Sequence, residues 1–394
     1  MVDLTKIIET AARARGFAMV GFARLHPLAA RGEFFADWLA DGRHGTMQYL
    51  ARDPARRIDP RVLDSRFKSV VSLAYPYAAV RPPEIDWRAE LRGRMAAYAL
   101  GPDYHDYVLA AAKSVTAAIL TEHPRSITRT YVDTGPVFER EWASQAGLGW
   151  FGRNTMLLNR EHGSYFFLAE IFTDLAIDAP AAPYRDHCGT CRRCVDLCPT
   201  GALEDGYKIE PRVCISYLTI EHRGAIALEL RPKLGEWIFG CDICNDVCPW
   251  NAPENEPKEK ALKDNSDRLA ALPFLPDLLA LDDAAFGRRF SGSAIKRTKR
   301  RGLLRNAAIV LGNTGNRDAV PALARTLENE YEPTVRAHAA WALGNLGGAA
   351  AQGALERALR RETQREVADE ITLAMGEIKS QALVKTPAPL ETRK

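Results

Sequence analysis

Over the first 180 positions, apolar residues recur with two different periods. LTKIIETAARARG (4–16) carries them at helical spacing and stops on Gly16, and DYVLAAAKSVTAAILTE (106–122) has the same period. FAMVGFARL, SVVSLAYPYA, SITRTYVDTG and SYFFLAEIF are instead short apolar runs bounded by Gly, Pro or Asp, which predicts buried strands. Alternating helices and strands predict an α/β domain over 1–180, with a ligand site at strand ends. From about Pro180 the pattern gives way to short, cysteine-rich turns over 181–255, followed by the polar stretch NAPENEPKEKALKDNSD (251–267), which reads as an exposed connection.

Beyond that stretch, over 256–380, the chain is helical and rich in Ala and Leu. RNAAIVLGNTG (305–315) and RAHAAWALGNLGG (336–348) share an AA-x-x-LGN core, and their glycines, Gly312 and Gly344, are 32 residues apart. This period predicts a HEAT-like array, in which each helical pair buries its face by stacking on the next. A generic helical hairpin with a chance repeat is the alternative. Residues 381–394 read as a loose tail.

Composition narrows the class. With 394 residues, 46% apolar and 26% charged, the chain has the make-up of a folded protein of two or three domains. No run approaches the roughly 18 apolar residues of a membrane span. The N-terminus MVDLTKIIETAARARGFAMV carries acidic residues and no long apolar stretch, so a cytoplasmic, monomeric protein without membrane association is expected. Net charge is +3, which says little about polyanions. Its distribution says more: between 284 and 317 lie Arg288, Arg289, Lys296, Arg297, Lys299, Arg300, Arg301, Arg305 and Arg317 with no acidic residue, either a solvated basic face or a footprint for phosphate.

All eight cysteines fall between Cys188 and Cys248. Cys188, Cys191, Cys194 and Cys198-Pro199 follow C-x2-C-x2-C-x3-C-P, in which three cysteines wrap one iron–sulfur cube and the fourth serves a second. Cys241, Cys244 and Cys248-Pro249 supply the other motif, and Cys214 the remaining thiolate. The count closes on two [4Fe–4S] clusters, one held by Cys188, Cys191, Cys194 and Cys248, the other by Cys198, Cys214, Cys241 and Cys244. Two tetrahedral zinc sites would use paired C-x2-C knuckles, which leaves the third cysteine at the next two-residue step and the prolines unexplained. Two clusters imply one-electron transfer.

Asp133 follows a predicted strand and precedes Thr134-Gly135-Pro136. It is a general acid if a poorly hydrated site raises its pKa, or a cap for the next helix. Gly147, Gly149, Gly152 and Gly163 allow close approach to a large flat ligand or simply form turns.

GPDYHDY (101–107), VDTGPVFERE (132–141), AGLGWFGRNT (146–155), GSYFFLAEI (163–171), CGTCRRCVDLCPTGAL (188–203), CISYLTIEHRG (214–224) and GCDICNDVCPWN (240–251) together resemble the epoxyqueuosine reductase family. The resemblance implies a reductive-dehalogenase-like fold with base-off cobalamin between the N-terminal domain and the ferredoxin-like module. It implies no histidine ligand, and D-x-H-x-x-G is indeed broken, since Asp103-Tyr104-His105 runs on into Asp106, Tyr107 and Val108. It further implies Asp133 as proton donor and Arg57, Tyr98, Asn154, Ser164 and Ser216 near the corrin or its tail. Arg153 stands where the family commonly has lysine.

The activity implied is the last step of queuosine biosynthesis, reduction of an epoxide on the wobble nucleoside of a tRNA anticodon. A low-potential electron donor of unstated identity is required. On that reading Arg223, Lys296, Arg297, Lys299, Arg300, Arg301 and Arg305 contact the RNA backbone while the pocket reads the flipped-out base. A corrinoid-dependent reductive dehalogenase and a non-enzymatic electron carrier with a helical interaction module are the alternatives.

Overall fold

A computed structural model describes residues 3–79, 85–178, 184–252 and 271–384. Most of the 251–267 connection and residues 385–394 of the expected tail lie outside the described residues. The helix Arg365–Val384 runs into the segment read as tail.

The four predicted strands form one sheet in the order Met19–Arg24, Ser69–Pro76, Phe166–Thr173, Thr128–Tyr131. Helices alternate with these strands along the chain, yet every pairing in the sheet is antiparallel. One face packs Val71, Leu73, Ala169 and Ile171 on Ile8 and Ala12 of the helix Leu4–Ala14 and on Val108 and Val115 of the helix Tyr104–Glu122. The other packs Val70, Ala74 and Phe172 on Trp142 and Ala143 of the helix Glu139–Gln145. Burial on both faces is why these strands read as continuous apolar runs rather than as alternation. Gly21 lets that last helix come close: a Cβ there would stand 2.1 Å from the Ala146 carbonyl oxygen.

The cysteine module is tied to the sheet domain by a parallel pairing of Arg94–Met95 with Trp237–Phe239. It is tied to the helical region by the helix Lys299–Asn313. From this helix Arg305 donates to the carbonyl oxygens of Leu218, His222 and Gly224 at 2.6–2.9 Å. Asn306 donates to those of Thr219 and Ile238 at 2.9 and 2.8 Å.

Further helices, Val320–Asn329, Pro333–Leu346, Ala349–Leu359 and Arg365–Val384, stack onward. The two periodic glycines sit at equivalent helix–helix contacts. A Cβ on Gly312 would come within 2.8 Å of Trp341, and one on Gly344 within 2.7 Å of Ala374. The repeated glycine is therefore a packing requirement of the stack.

Candidate functional site

An open cavity of about 1110 Å³ lies where the three regions meet. Arg57, Tyr98 and Asp133 line it from the sheet domain, Cys214 and Ser216 from the cysteine module, and Lys296, Arg297 and Lys299 from the helical region. Ordinary small-molecule pockets span about 300–1,000 Å³, so this one suits a macrocycle.

The strand Thr128–Tyr131 ends just before Asp133, whose φ of 56° places it in the left-handed region. The capping role considered for this residue is not realised. Phe138 occupies the N-cap of the following helix with no side-chain cap bond. The Asp133 carboxylate turns instead to the helix Tyr104–Glu122: Tyr104 donates its hydroxyl to Oδ2 at 2.7 Å, and His105 Nε2 lies 3.0 Å from the same oxygen. His105 Nδ1 is held 2.6 Å from Asp103 Oδ1, and the Asp103 carboxylate also caps the helix by accepting the His105 N–H. Tyr104 is fixed by face-to-face stacking on Phe167, with ring centroids 4.2 Å apart.

Asp133 is open to the cavity, yet protein surrounds it. Loss of hydration pushes its pKa up, but hydrogen bonds from His105 and Tyr104, with the His105 and Arg297 charges, outweigh that and hold it below the usual carboxylate range. His105 shows the reverse balance. Burial pulls its pKa down, and the bonds to Asp133 and Asp103 lift it above the ordinary histidine value. Behind Asp133, Glu139 accepts its backbone N–H. Burial, and then the Asp133 charge, raise Glu139 to about 8. Tyr104, His105 and Glu139 were not singled out from sequence, although GPDYHDY and VDTGPVFERE contain them.

Of the residues expected near a corrin, Arg57 offers Nη1 to the Gly135 carbonyl at 3.4 Å, while its buried Nε has no partner. A donor left over at the cavity wall fits a ligand with polar substituents. Asn154 and Ser164 are placed differently. They lie outside the cavity lining, only 3% and 2% exposed, in a polar seam with the second cysteine motif. Asn154 Nδ2 donates to the Cys244 carbonyl at 3.3 Å, Ser164 Oγ to Asn245 Oδ1 at 3.0 Å, and Asn251 Nδ2 to Ser164 Oγ at 2.8 Å. These side chains fasten the sheet domain to the module, and their hydrogen-bonding capacity is spent there.

The cysteines of the two motifs lie side by side. Cys248 is within electrostatic reach of Cys188, Cys194 and Cys191, Cys244 of Cys214, Cys194 and Cys198, and Cys241 of Cys244 and Cys214. Burial pushes the Cys241 and Cys244 thiols well up, and that of Cys248 to about 11. Eight free, partly buried cysteines in neighbouring turns suit a bound cluster. Cys214 alone among the eight reaches the cavity lining.

The basic run divides. Arg300 is 8% exposed and forms a bidentate pair with Glu330 at 3.0 and 2.5 Å. Arg305 is 1% exposed and binds the carbonyls named above, with burial lowering its pKa to about 9. Neither can meet a phosphate, and both leave the set of RNA contacts: each charge is consumed inside the fold. Arg297 is paired with Glu221 at 2.8 and 3.0 Å, and Arg223 Nη1 donates to the Thr298 carbonyl at 3.2 Å. Lys296 and Lys299 face the cavity, and Arg301 is exposed.

Three family models match the chain: "Epoxyqueuosine reductase QueG, DUF1730" over residues 57–134, a 4Fe-4S double cluster binding domain over 187–251 and HEAT repeats over 293–376. An epoxyqueuosine reductase of Xanthomonas campestris pv. campestris is 39% identical over 344 residues, 86% of this chain and 95% of that protein. One of Pseudomonas aeruginosa is 36% identical over 86% and 93%. Among solved structures, an epoxyqueuosine reductase with an epoxyqueuosine-modified tRNA-Tyr stem loop superposes with a TM-score of 0.86 at 30% identity, covering 95% of this chain and 99% of the other. That of Bacillus subtilis, with its catalytic aspartate loop swung out of the active site, gives 0.85 at 28%, with the same coverage. Relatives matched nearly end to end favour the RNA-modifying reading over the dehalogenase and the electron carrier, and the chain belongs to the epoxyqueuosine reductase family.

Proposed function

We propose that this chain reduces the epoxide of epoxyqueuosine at the wobble position of a tRNA anticodon to the alkene of queuosine, with base-off cobalamin in the cavity, two [4Fe–4S] clusters in the cysteine module and Asp133 in the proton path. The observation that carries it is the cavity itself, in which a carboxylate held by a histidine and a tyrosine shares one wall system with a cluster cysteine and two lysines. Two electrons and two protons convert the oxirane into alkene and water. The chemistry that a corrinoid supplies when bound there is the electron delivery, replenished singly through the clusters.

The chain's own residues handle the proton. His105 and Asp133 share a contact in which the imidazole has the raised pKa and the carboxylate the lowered one, so the resting pair stores its proton on His105 and passes it through Asp133 to the leaving oxygen. Tyr104 keeps the carboxylate aimed at the cavity. His105, engaged by a carboxylate on each nitrogen, is unsuited to ligate a metal, which supports a base-off cofactor without a histidine ligand. Arg57, Tyr98 and Ser216 are the wall residues for the macrocycle.

Lys296, Lys299 and Arg301 hold the RNA backbone at the mouth, and Arg223 and Arg297 border it. The Cys188, Cys191, Cys194 and Cys248 cluster, away from the cavity, receives electrons from a low-potential donor. No helix among the described residues is long and apolar enough to cross a membrane, and the reading is of a cytoplasmic monomer, where tRNA is found.

The test is anaerobic reconstitution with iron and sulfide, addition of cobalamin and an assay on tRNA bearing epoxyqueuosine. Conversion to queuosine supports the reading; full cluster content with no corrinoid retained overturns it.

A further inference from the structure

Beneath the Asp133 loop lies a buried acid system that the proton path above does not use. In the sheet register Gly21 stands opposite Ser72, Ser72 opposite Glu170, and Glu170 opposite Tyr131. Directly paired residues share a face, so this row lies under the helix Glu139–Gln145, on the side where Trp142 is buried. Glu170 is 0% exposed, and neither of its oxygens, nor Ser72 Oγ, nor Trp142 Nε1, has a hydrogen-bond partner. An ionised carboxylate without a partner in such a place is far too costly, so Glu170 is a neutral acid.

Glu139 begins the helix above that row and grips the loop: its carboxyl accepts the backbone N–H of Asp133, whose left-handed φ of 56° is uncommon for a non-glycine residue. Such a conformation persists only where the surroundings enforce it. We propose that Glu139 is the positioning residue that locks Asp133 into the cavity-facing conformation and that it does so as a neutral acid, above a second neutral acid, Glu170, in the sheet.

The groups facing Glu139 are Asp133, Arg140, His105, Tyr104, Arg57 and Glu170. With Glu170 neutral, Asp133 carries the one negative charge among these groups, and a second on Glu139 would repel it from its place. Burial and the Asp133 charge favour the protonated form at neutral pH. A neutral carboxyl still offers a carbonyl oxygen to the N–H, and an amide offers the same.

The inference rests on the proposed function for its kinetic arm and is independent of it for its spectroscopic one. In reconstituted enzyme at neutral pH, Glu139→Ala should lower kcat about tenfold, the order of one hydrogen bond, with KM for the tRNA substrate unchanged. Glu139→Gln should recover most of that loss. A Gln variant as impaired as the Ala variant would show that the charge is needed, and a kcat indifferent to both would remove the positioning role. In the apoprotein, infrared difference spectra at neutral pH should show, beside that of Asp242, two protonated carboxyl bands, one lost in Glu139→Gln and one in Glu170→Gln. Absence of the first band overturns the neutral-acid assignment even if turnover is never observed, whereas wild type without turnover but with both bands faults the proposed function alone.

Discussion

His105 Nε2 lies 3.0 Å from Asp133 Oδ2, a contact between an imidazole whose pKa is raised and a carboxylate whose pKa is lowered. Removing His105 as His105→Ala takes away the site whose pKa stands above 6.5. Turnover of the variant should then fall off at lower pH than that of the wild type. An alkaline limb at the same pH in both would place the proton reserve elsewhere.

Asp133→Asn keeps the size and the hydrogen bond to Tyr104 but cannot pass a proton. Corrinoid content, read from its absorbance, should match the wild type, while turnover on modified tRNA drops at least about 100-fold, the usual weight of a general acid. Unchanged turnover would return Asp133 to a structural role.

The division of the basic run gives a paired test. Lys299→Glu with Arg301→Glu should weaken tRNA binding and flatten its dependence on salt, because fewer counterions are released. Arg300→Ala should instead cost about 3–5 kcal/mol of stability by stranding Glu330 in the interior. Thermal unfolding and binding titrations across a salt series separate the two outcomes. A salt slope unmoved by the first pair would count against phosphate contacts there.

Asn154→Ala removes the donor to the Cys244 carbonyl and unpicks the seam between sheet and module. A loss of about 1–3 kcal/mol in unfolding free energy is expected, with corrinoid retention little changed, since Asn154 lies outside the cavity lining. Loss of corrinoid at full stability would restore it to the cofactor wall.

Glu139 also links stability to pH. Its folded value of about 8 exceeds the ordinary 4.5, so the folded state keeps a proton that the unfolded chain releases. Its contribution is complete below about pH 4.5 and is lost progressively as pH rises towards 8. Melting temperatures of Glu139→Gln should decline less over that window than those of the wild type; parallel curves would contradict the shift.

The helices and strands of the sheet domain were legible because each is a local pattern: a period of 3.6 or a compact apolar run between breakers. Antiparallel order was not, since a strand buried on both faces looks the same whichever way its neighbours run. The HEAT repeats were visible through Gly312 and Gly344, which must be small wherever one helix leans on the next. The double-cluster domain was legible because cysteine spacing is a local property of the chain.

What sequence could not decide was which charges and amides remain free. Arg300, Arg305 and Lys299 look alike in a run of cations, but Glu330 and the carbonyls of Leu218, His222 and Gly224 arrive from elsewhere in the chain and claim the first two. Asn154 and Ser164 were likewise claimed by Asn245 and Asn251 across a domain seam. Asp133 stood out by its position after a strand; its low pKa, its histidine partner and the acid beneath it exist only once Tyr104–Glu122, Glu139–Gln145 and the sheet are packed together. Spacing along the chain marked out the double-cluster domain and the repeat. Burial and partner choice are properties of the folded neighbourhood, and they alone assigned the remaining residues their work.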